Sequence, residues 1–351
     1  MKKALSLTIT LLAFLAASPY GLAREPAAGT KPTVTAKSVS KGKPWASTGA
    51  KKKIIIKKRK SGVKARKAAH AAARAKSLQE LMGPPYNGGE LNLRSASVLV
   101  VNQGTGEPLY AKNPELEAPI ASITKLMTAM VTLDAGLPLH EVITISTEDV
   151  DRLKGTGSRL RLGATLTREE LLHLALIASE NRAAAALSRA YPGGREAFVE
   201  AMNRKAAQLG MHHTRFVDGT GLSSFNRSTA ADLVKLVDAA YRYPLIRKIS
   251  TTGSYELTMP ASKRVRHLAF NNTNLLTRKE DWEIGVSKTG YISEAGHCLV
   301  MQARIAEQKV IIVLLDSWGK LSRIGDATRI RQWLEHTTTG RMASRNGKDS
   351  V

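Results

Sequence analysis

The sequence is poor in three features, each of which would indicate a particular class of protein. Its 351 residues include one cysteine, Cys298, which excludes an internal disulfide framework and a cysteine-rich zinc site. Beyond the N-terminus no run approaches 18 consecutive apolar residues, so a further membrane-spanning helix is not expected. Acidic residues number only 29 against 53 lysines and arginines, and the net charge of +24 would at first indicate a nucleic-acid partner.

The positive charge is concentrated in one segment. Residues 24–80 contain 17 basic and 2 acidic side chains, whereas residues 81–351 contain 34 basic and 27 acidic ones. The segment is rich in Lys, Ala, Ser, Gly and Pro, and Trp45 is its single aromatic residue. Like charges at this density repel one another, and the apolar surface is too small to offset the entropy of ordering. We therefore expect residues 24–88 to form a basic, low-complexity, disordered arm.

The N-terminus has the pattern of a secretory signal. Lys2 and Lys3 precede a mainly apolar run at 4–17, and small residues occupy positions 21 and 23. This run is shorter than the roughly 20 residues that span a bilayer, so we expect cleavage of 1–23 after Ala23 and export to the periplasm. Export makes nucleic acid an unsuitable partner, and anionic envelope polymers or lipid head groups become the expected partners of residues 24–80.

The remaining chain is predicted to form one domain at 89–338, after a cluster of helix-breaking residues at 82–89, with a polar tail at 339–351. The predicted strands span 97–102, 108–111, 284–288, 297–305 and 308–316. The predicted helices span 122–131, 171–177 after a capping box at 167–170, 180–190, 194–209, 229–242 and 321–336. This order indicates an α/β (α+β) fold in which N- and C-terminal segments form one antiparallel sheet, covered by a helical region.

The motif Ser122-x-x-Lys125 begins the first predicted helix. Residues three apart share one helical face, so the hydroxyl and the amine can come within hydrogen-bond distance. A serine is a weak nucleophile until a base takes its proton, and a lysine is such a base only when burial or nearby positive charge lowers its pKa. Taken alone, the pattern is more typical of an N-cap serine and a solvated lysine.

Two further motifs carry polar side chains that could face the same cleft. Ser179 and Asn181 lie at the junction of two predicted helices, where ordinary capping would also explain them. Lys288, Thr289 and Gly290 follow a predicted strand. Their cation and hydroxyl suit a substrate carboxylate, and the glycine permits close pairing of a peptide with the strand edge. The alternative is an edge lysine that resists aggregation.

Together and in this order, the three motifs resemble the Ser-x-x-Lys, Ser-x-Asn and Lys-Thr-Gly set of the penicillin-binding proteins and serine β-lactamases. The residues around them are similar to those of the low-molecular-mass D-alanyl-D-alanine peptidases, and most of all to endopeptidases among them, over roughly 92–336. The resemblance implies a β-lactamase/transpeptidase-like fold. It also implies a serine hydrolase that cleaves D-Ala–meso-diaminopimelate cross-links between peptidoglycan stem peptides, binds β-lactams covalently as inhibitors, and needs no metal or other cofactor.

The resemblance assigns catalytic roles to residues of this chain. Ser122 would be the nucleophile that forms an acyl-enzyme, and Lys125 would be the base that activates it. Ser179 would relay a proton to the leaving amine. The backbone amides of Ser122 and Tyr291 would form the oxyanion hole.

The resemblance likewise implies a set of substrate-binding residues. Asn181 would orient both the lysine base and the substrate amide. Lys288 would lower the pKa of that base by charge repulsion and would bind substrate together with Thr289. Gly290 and Tyr291 would complete the strand along which the peptide lies.

Three other interpretations remain open. D-Ala-D-Ala carboxypeptidases often carry an additional β-domain and an amphipathic C-terminal anchor, whereas only 63 residues follow Lys288 here. Class A β-lactamases use a glutamate some tens of residues after Ser-x-Asn, and this chain has no glutamate between Glu200 and Glu256. A non-catalytic cell-wall-binding protein would suit the basic arm, but it has no need to keep all three motifs.

Overall fold

The structure is a computed structural model that describes residues 80–261 and 264–346. The predicted signal peptide at 1–23 and most of the predicted basic arm lie outside these residues. In the part of the chain that is described, no helix is long and apolar enough to cross a membrane.

The strands, in chain order, are β1 (Ser95–Asn102), β2 (Pro108–Lys112), β3 (Ala118–Pro119), β4 (Val142–Thr144), β5 (Thr165–Thr167), β6 (Arg227–Ser228), β7 (Ser254–Ala261), β8 (Arg264–Asn271), β9 (Glu283–Ile292), β10 (Gly296–Ile305) and β11 (Gln308–Ser317). The α-helices are α1 (Thr124–Asp134), α2 (Arg168–Ile177), α3 (Asn181–Arg189), α4 (Gly194–Gln208), α5 (Ala230–Tyr241), α6 (Pro244–Thr251) and α7 (Ser322–Asn346). Short 3-10 helices span Ala121–Ile123, Thr147–Asp149 and Leu275–Arg278.

A five-stranded antiparallel sheet joins the two ends of the described chain. Its strand order is β2-β1-β11-β10-β9, so the N-terminal hairpin pairs with the C-terminal strands through β1 and β11. In that ladder Ser97 lies opposite Leu315, and Val101 lies opposite Ile311. The predicted sheet built from both chain ends is therefore confirmed. Strand β9 occupies one edge of this sheet.

Alternate residues of the central strands enter two separate apolar clusters, as the two-residue period of a strand requires. Val98 and Val100 of β1 belong to the smaller cluster, which α7 covers with Ile324 and Ile330. Leu99, on the opposite face, belongs to the larger cluster formed with α1 to α6. Helices therefore cover both faces of the sheet: α7 lies on one face, and α1 to α6 lie on the other.

Helix α1 is surrounded by other elements of the helical region. Every residue from Thr124 to Thr132 is buried, including the side chain of Lys125. The predicted helix therefore forms, but the residues before it make the 3-10 turn Ala121–Ile123, and the α-helix ends later, at Asp134. The nucleophile candidate lies in that turn and not in the α-helix itself.

The elements that differ most from prediction are those shaped by tertiary pairing. Strand β9 continues through the Lys-Thr-Gly motif to Ile292, beyond the predicted end at 288, because β10 pairs with it along this length. Neither the hairpin of β7 and β8 nor the short helix α6 was predicted. In the hairpin, charged residues and Pro260 interrupt the alternation of apolar and polar residues that indicates a strand. Helix α7 ends at Asn346 and not near 336.

The segment of helix-breaking residues at 82–89 lies against α7. Arg329 donates hydrogen bonds to the carbonyl oxygens of Met82 and Pro84, each at 3.0 Å. The backbone N–H of Tyr86 donates to Gln332 Oε1 at 2.9 Å. These bonds replace the helical or sheet partners that an irregular backbone lacks, so the segment is attached to the last helix along its length.

Candidate active site

The three sequence motifs meet at one place in the fold. Lys125 Nζ lies 2.8 Å from Ser122 Oγ and 2.8 Å from Asn181 Oδ1. Lys288 Nζ lies 3.0 Å from Ser179 Oγ. The start of α1 with the 3-10 turn before it, the junction of α2 and α3, and edge strand β9 therefore each supply one motif. The motif at the junction hydrogen-bonds to both of the others.

Ser122 is positioned by a strained turn that Gly221 supports. The preceding residue, Ala121, has a φ of +47°, which is unfavourable for an L-residue. Gly221 has a φ of +79°, and a Cβ there would lie 2.0 Å from the carbonyl oxygen of Ala121 and 2.9 Å from Thr124 Oγ1. Strained backbone persists only where surrounding contacts over-determine it. The close approach of Gly221 is one such contact beneath the nucleophile.

We expect Gly221→Ala to lower the free energy of unfolding by about 3 kcal/mol or more, because it adds an overpacked methyl group to the cost of a left-handed alanine. Gly136→Ala is the matched control: its φ is +62°, and no atom lies within 4 Å of the added Cβ. Urea unfolding gives the free energy of unfolding of each variant, and the difference between the two variants measures the cost of the steric clash. Equal losses of stability in the two variants would contradict the proposed packing role.

The hydrogen bonds of Lys125 direct its lone pair at Ser122. The amine donates to Asn181 Oδ1 at 2.8 Å and to the carbonyl oxygen of Thr220 at 2.6 Å. A neutral amine has two N–H groups, and these two acceptors use both of them. The lone pair then faces Ser122 Oγ, the third neighbour. In its neutral form, Lys125 is therefore arranged to take a proton from the serine hydroxyl.

The orientation of the Asn181 amide follows from a chain of bonds behind it. Asn181 Nδ2 donates to Thr156 Oγ1 at 2.9 Å, and Thr156 Oγ1 donates to Asp151 Oδ2 at 2.6 Å. An ionised carboxylate only accepts, so the threonine hydroxyl must donate to it and accept from the amide. The amide oxygen is consequently turned toward Lys125.

The Lys125 amine has the electrostatics that a general base requires. Burial lowers its pKa from 10.5 to about 7, while the negative charges of Asp218 and Glu180 act in the opposite direction. The predicted repulsion from Lys288 is therefore not the main cause; removal of the ammonium group from water is. A pKa near neutrality leaves a large fraction of the amine unprotonated and able to accept a proton.

Glu180→Gln should move the acid limb of the activity–pH profile to lower pH. The Glu180 carboxylate raises the pKa of Lys125, so its removal allows burial to lower that pKa further. The fraction of neutral amine at a given acidic pH then increases. Rates of acylation by a fluorescent penicillin between pH 5 and 9 would measure this shift. Glu283→Gln, which removes an exposed partner of Arg304, is the control, and an unmoved or upward-shifted limb in Glu180→Gln would contradict the assignment.

The second lysine lies in a similar environment. Burial lowers the pKa of Lys288 well below its ordinary value, and the positive charges of Lys125 and Arg323 add to the effect. Its amine donates to the carbonyl oxygen of Thr289 at 2.9 Å and to Ser179 Oγ. Ser179 itself has a φ of +59°, a second strained position within the cluster.

Strand β9 brings its backbone close to the nucleophile. A Cβ on Gly290 would lie 2.9 Å from the carbonyl oxygen of Ile120 and 3.2 Å from the backbone nitrogen of Ser122. Thr289 Oγ1 donates to Thr273 Oγ1 at 2.7 Å, and Tyr291 extends into solvent with 58% of its surface exposed. Gly290 therefore permits β9 to pass close to the turn that carries Ser122.

Two residues that were assigned no catalytic or substrate-binding role from the sequence, Asp218 and Asn226, support the site. Asp218 accepts hydrogen bonds from the backbone nitrogens of Thr220, Gly221 and Ser223, and it thereby holds the Thr220 carbonyl against Lys125. Asn226 continues this support beneath α1. It donates to Thr124 Oγ1 at 3.1 Å and to the Asp218 carbonyl oxygen at 2.8 Å.

Arg323 is a further cation that sequence analysis missed. Its Nη1 donates to His297 Nδ1 at 2.7 Å, and its Nε has no hydrogen-bond partner among the described residues. His297 stacks on Tyr291 with 4.3 Å between ring centroids. The neighbouring Cys298 is buried, and burial raises the pKa of its thiol to about 11, as expected for an apolar cysteine and not for a nucleophile. The positive charge of Arg323 also acts on Lys288 and helps to lower the pKa of that lysine.

A cavity of about 750 Å³ is lined by residues of β1, β11, α4 and α5 and contains none of the motif residues. Another of about 640 Å³ borders Asn181 and Thr220. Within 80–261 and 264–346, no group of three His, Cys, Asp or Glu side chains could hold a metal ion.

A serine hydroxyl beside a buried lysine whose pKa is lowered to about 7, with a backbone strand passing the nucleophile, defines a serine hydrolase that works through acyl transfer. Comparison with known proteins identifies the family of serine hydrolases to which the chain belongs. The family profile described as D-alanyl-D-alanine carboxypeptidase, peptidase family S11, matches residues 85–319, and the chain belongs to this family. It is similar to the endopeptidases of the penicillin-binding protein 7 type, as the motifs indicated.

Two relatives and one solved structure support this assignment. The chain is 50% identical over 255 residues to a D-alanyl-D-alanine endopeptidase of Pseudomonas aeruginosa, which covers 72% of this chain and 82% of the relative. It is 47% identical over 243 residues to one of Escherichia coli, covering 69% and 78%. The Streptomyces K15 DD-transpeptidase structure shares 29% identity at a TM-score of 0.65, covering 70% of this chain and 98% of that one. The predicted transpeptidase-like fold is confirmed.

Proposed function

We propose that this protein is a D-alanyl-D-alanine endopeptidase that opens D-Ala–meso-diaminopimelate cross-links between peptidoglycan stem peptides. The observation that carries the proposal is the pairing of Lys125 with Ser122: a buried amine with both N–H groups engaged and its lone pair facing a hydroxyl 2.8 Å away. Both relatives at 47–50% identity are named D-alanyl-D-alanine endopeptidases. β-Lactams, which present a strained acyl group to the same serine, act as covalent inhibitors.

In the first half-reaction, Ser122 Oγ attacks the carbonyl carbon of the donor D-Ala while Lys125 Nζ takes the hydroxyl proton. The negative charge that develops on the carbonyl oxygen is stabilised by the backbone N–H groups of Ser122 and Tyr291, each worth about 3–4 kcal/mol in well-studied hydrolases. The proposal is supported by the close passage of Gly290 beside the Ser122 nitrogen. No metal takes part in these steps.

Expulsion of the amine requires a proton at the leaving nitrogen. Ser179 Oγ delivers it and recovers a proton from Lys288, its hydrogen-bond partner, and the proton that Lys125 took from Ser122 passes to Lys288 in turn. The carboxylate next to the leaving nitrogen binds at the positive end of the cleft, where Lys288, Thr289 and Arg323 lie. Water then attacks the acyl-enzyme, Lys125 accepts its proton, and Ser122 is regenerated as the donor stem leaves with a free D-Ala carboxylate.

Digestion of purified sacculi followed by mass analysis of the muropeptides tests the reaction. We expect loss of cross-linked dimers and gain of monomeric tetrapeptides. A D-Ala-D-Ala carboxypeptidase is the second candidate, because its leaving group carries the same carboxylate beside the scissile nitrogen. Conversion of pentapeptides to tetrapeptides with intact dimers would favour that candidate and overturn the endopeptidase.

The N-terminal residues have a separate proposed role. Residues 1–23 direct export to the periplasm, the arm at 24–80 binds anionic envelope polymers or lipid head groups, and the domain at 89–338 performs catalysis. A variant lacking 24–80 should bind sacculi less at low salt while hydrolysing soluble fragments at the normal rate. Equal pelleting of both proteins with sacculi would contradict the role of the arm.

A further inference from the structure

An ion pair joins the two walls of the cleft. One wall is β9, which continues beyond Ile292 into the turn that contains Glu294. The other wall is the loop at 151–158, which bonds to Asn181 through Thr156. Lys154 Nζ donates a hydrogen bond to Glu294 Oε1, linking residues that are 140 positions apart in the sequence.

The loop that carries Lys154 is held in place by one carboxylate. Asp151 accepts hydrogen bonds from the backbone nitrogens of Leu153, Lys154 and Thr156 at 2.8, 2.9 and 2.8 Å. Gly155, with a φ of +65°, allows the tight turn that follows. The backbone of Lys154 is therefore fixed relative to the site, while its side chain reaches across to the sheet.

The position of this pair along the cleft follows from the direction of the bound peptide. The carboxylate on the leaving side of the scissile bond lies near Lys288, so the donor stem must run from there past Tyr291 toward the C-terminal end of β9. Lys154 and Glu294 lie at that end. The residue that precedes D-Ala in the donor stem is consequently the one whose side chain approaches the pair.

The chemistry of the pair matches one particular side chain. An exposed, isolated ion pair contributes little to stability, and the Lys154 and Glu294 side chains are 27% and 40% exposed. Hydrogen bonds from Lys154 and Ser293 lower the pKa of Glu294 to about 2, so the carboxylate is charged at physiological pH. A cation and an anion in contact are complementary to a group that carries an ammonium and a carboxylate on one carbon.

We propose that Lys154 and Glu294 form a subsite for the amino-carboxylate end of a diaminopimelate side chain in the donor stem. The carboxylate pairs with Lys154 and the ammonium with Glu294, in exchange for the ion pair between the two residues. This subsite rests on the proposed function, which places a stem peptide in the cleft. A lysine at the same stem position has the ammonium but no carboxylate, so it meets only half of the subsite.

Two soluble cross-linked dimers that differ only in the donor residue before D-Ala, diaminopimelate or lysine, provide the test. We expect the wild-type protein to favour the diaminopimelate dimer by about tenfold in kcat/KM, as expected for one charge-assisted hydrogen bond that is partly exposed to water. Lys154→Met should reduce this preference to about twofold or less. Glu294→Gln should instead lower kcat/KM for both dimers by a similar factor, because both dimers carry the ammonium that Glu294 binds. Glu283→Gln with Arg304→Met, which removes another exposed ion pair on the sheet, is the matched control and should retain the full preference.

The outcomes separate this subsite from a simple latch and from the proposed function. If the pair were a latch that only held the cleft closed, Lys154→Met would change kcat/KM for both dimers by the same factor. A preference that survives in Lys154→Met would overturn the subsite. Equal hydrolysis of both dimers by the wild-type protein would also overturn it while leaving the endopeptidase intact. Hydrolysis of neither dimer, despite labelling by penicillin, would overturn the endopeptidase and the subsite together.

Discussion

Ser122→Ala is expected to eliminate covalent labelling by a fluorescent penicillin and to reduce cross-link hydrolysis by roughly 10⁴-fold or more, the usual scale for loss of a serine nucleophile. The substitution removes the atom that forms the acyl bond, and no other hydroxyl lies at the same distance from the Lys125 amine among the described contacts. Labelling followed by gel fluorescence measures the first effect, and muropeptide analysis measures the second.

The same variant should keep its fold. The Ser122 side chain is only partly buried, and its hydroxyl contributes one hydrogen bond, to Lys125. Ser146→Ala, which removes the N-cap of the 3-10 helix Thr147–Asp149, is a control for loss of a structural serine hydroxyl and should label normally. Persistent labelling of folded Ser122→Ala would show that a different residue forms the acyl-enzyme.

Lys125→Met should produce a loss of similar size in acylation by penicillin. Methionine fills much of the same volume without an amine, so Ser122 would have no base within hydrogen-bond distance. Lys112→Met is the matched control, because Lys112 likewise donates to two oxygen acceptors, the backbone carbonyls of Leu93 and Ser95, but lies outside the cleft. Acylation of Lys125→Met at close to the wild-type rate would mean that another base activates the nucleophile.

The pH dependence of the wild-type protein provides an independent measurement of the same assignment. The pKa of Lys125 is lowered from 10.5 to about 7, so the amine is protonated below about pH 7 and neutral above it. Only the neutral form accepts the serine proton. The acylation rate should therefore rise with pH through about 7 and fall about tenfold per unit on the acid side. A rate that is flat from pH 5 to 8 would contradict this role.

Much of the fold and most of the cleft could be predicted because their signals are local. The short continuous runs of apolar residues in β1, β10 and β11 are typical of strands that are buried on both faces. The capping box at Thr167 and Glu170 is complete in the structure, since it depends on four consecutive residues. The motif residues Ser122, Lys125 and Asn181 were found from their types and spacing, which need no knowledge of the fold.

Features that depend on contacts between distant segments could not be predicted in this way. The hairpin of β7 and β8 has a weak alternation of its own and is defined by pairing such as that of Leu257 with Leu268. The sequence of α7 predicts a helix with one apolar face, but it does not predict where Arg323 lies in the fold. Its place beside Lys288 results from the packing of α7 against the sheet. The Lys154–Glu294 pair likewise joins two loops with no shared sequence signal.

The sequence by itself determined which chemical groups this protein brings to its reaction and in what order along the chain. Those properties reside in residue types and short spacings. The tertiary structure alone decided that Lys125 is a base and not a cation, because the pKa of an amine depends on how much water the whole fold removes from it. It also decided, through Thr156 and Asp151, which end of the Asn181 amide faces that base.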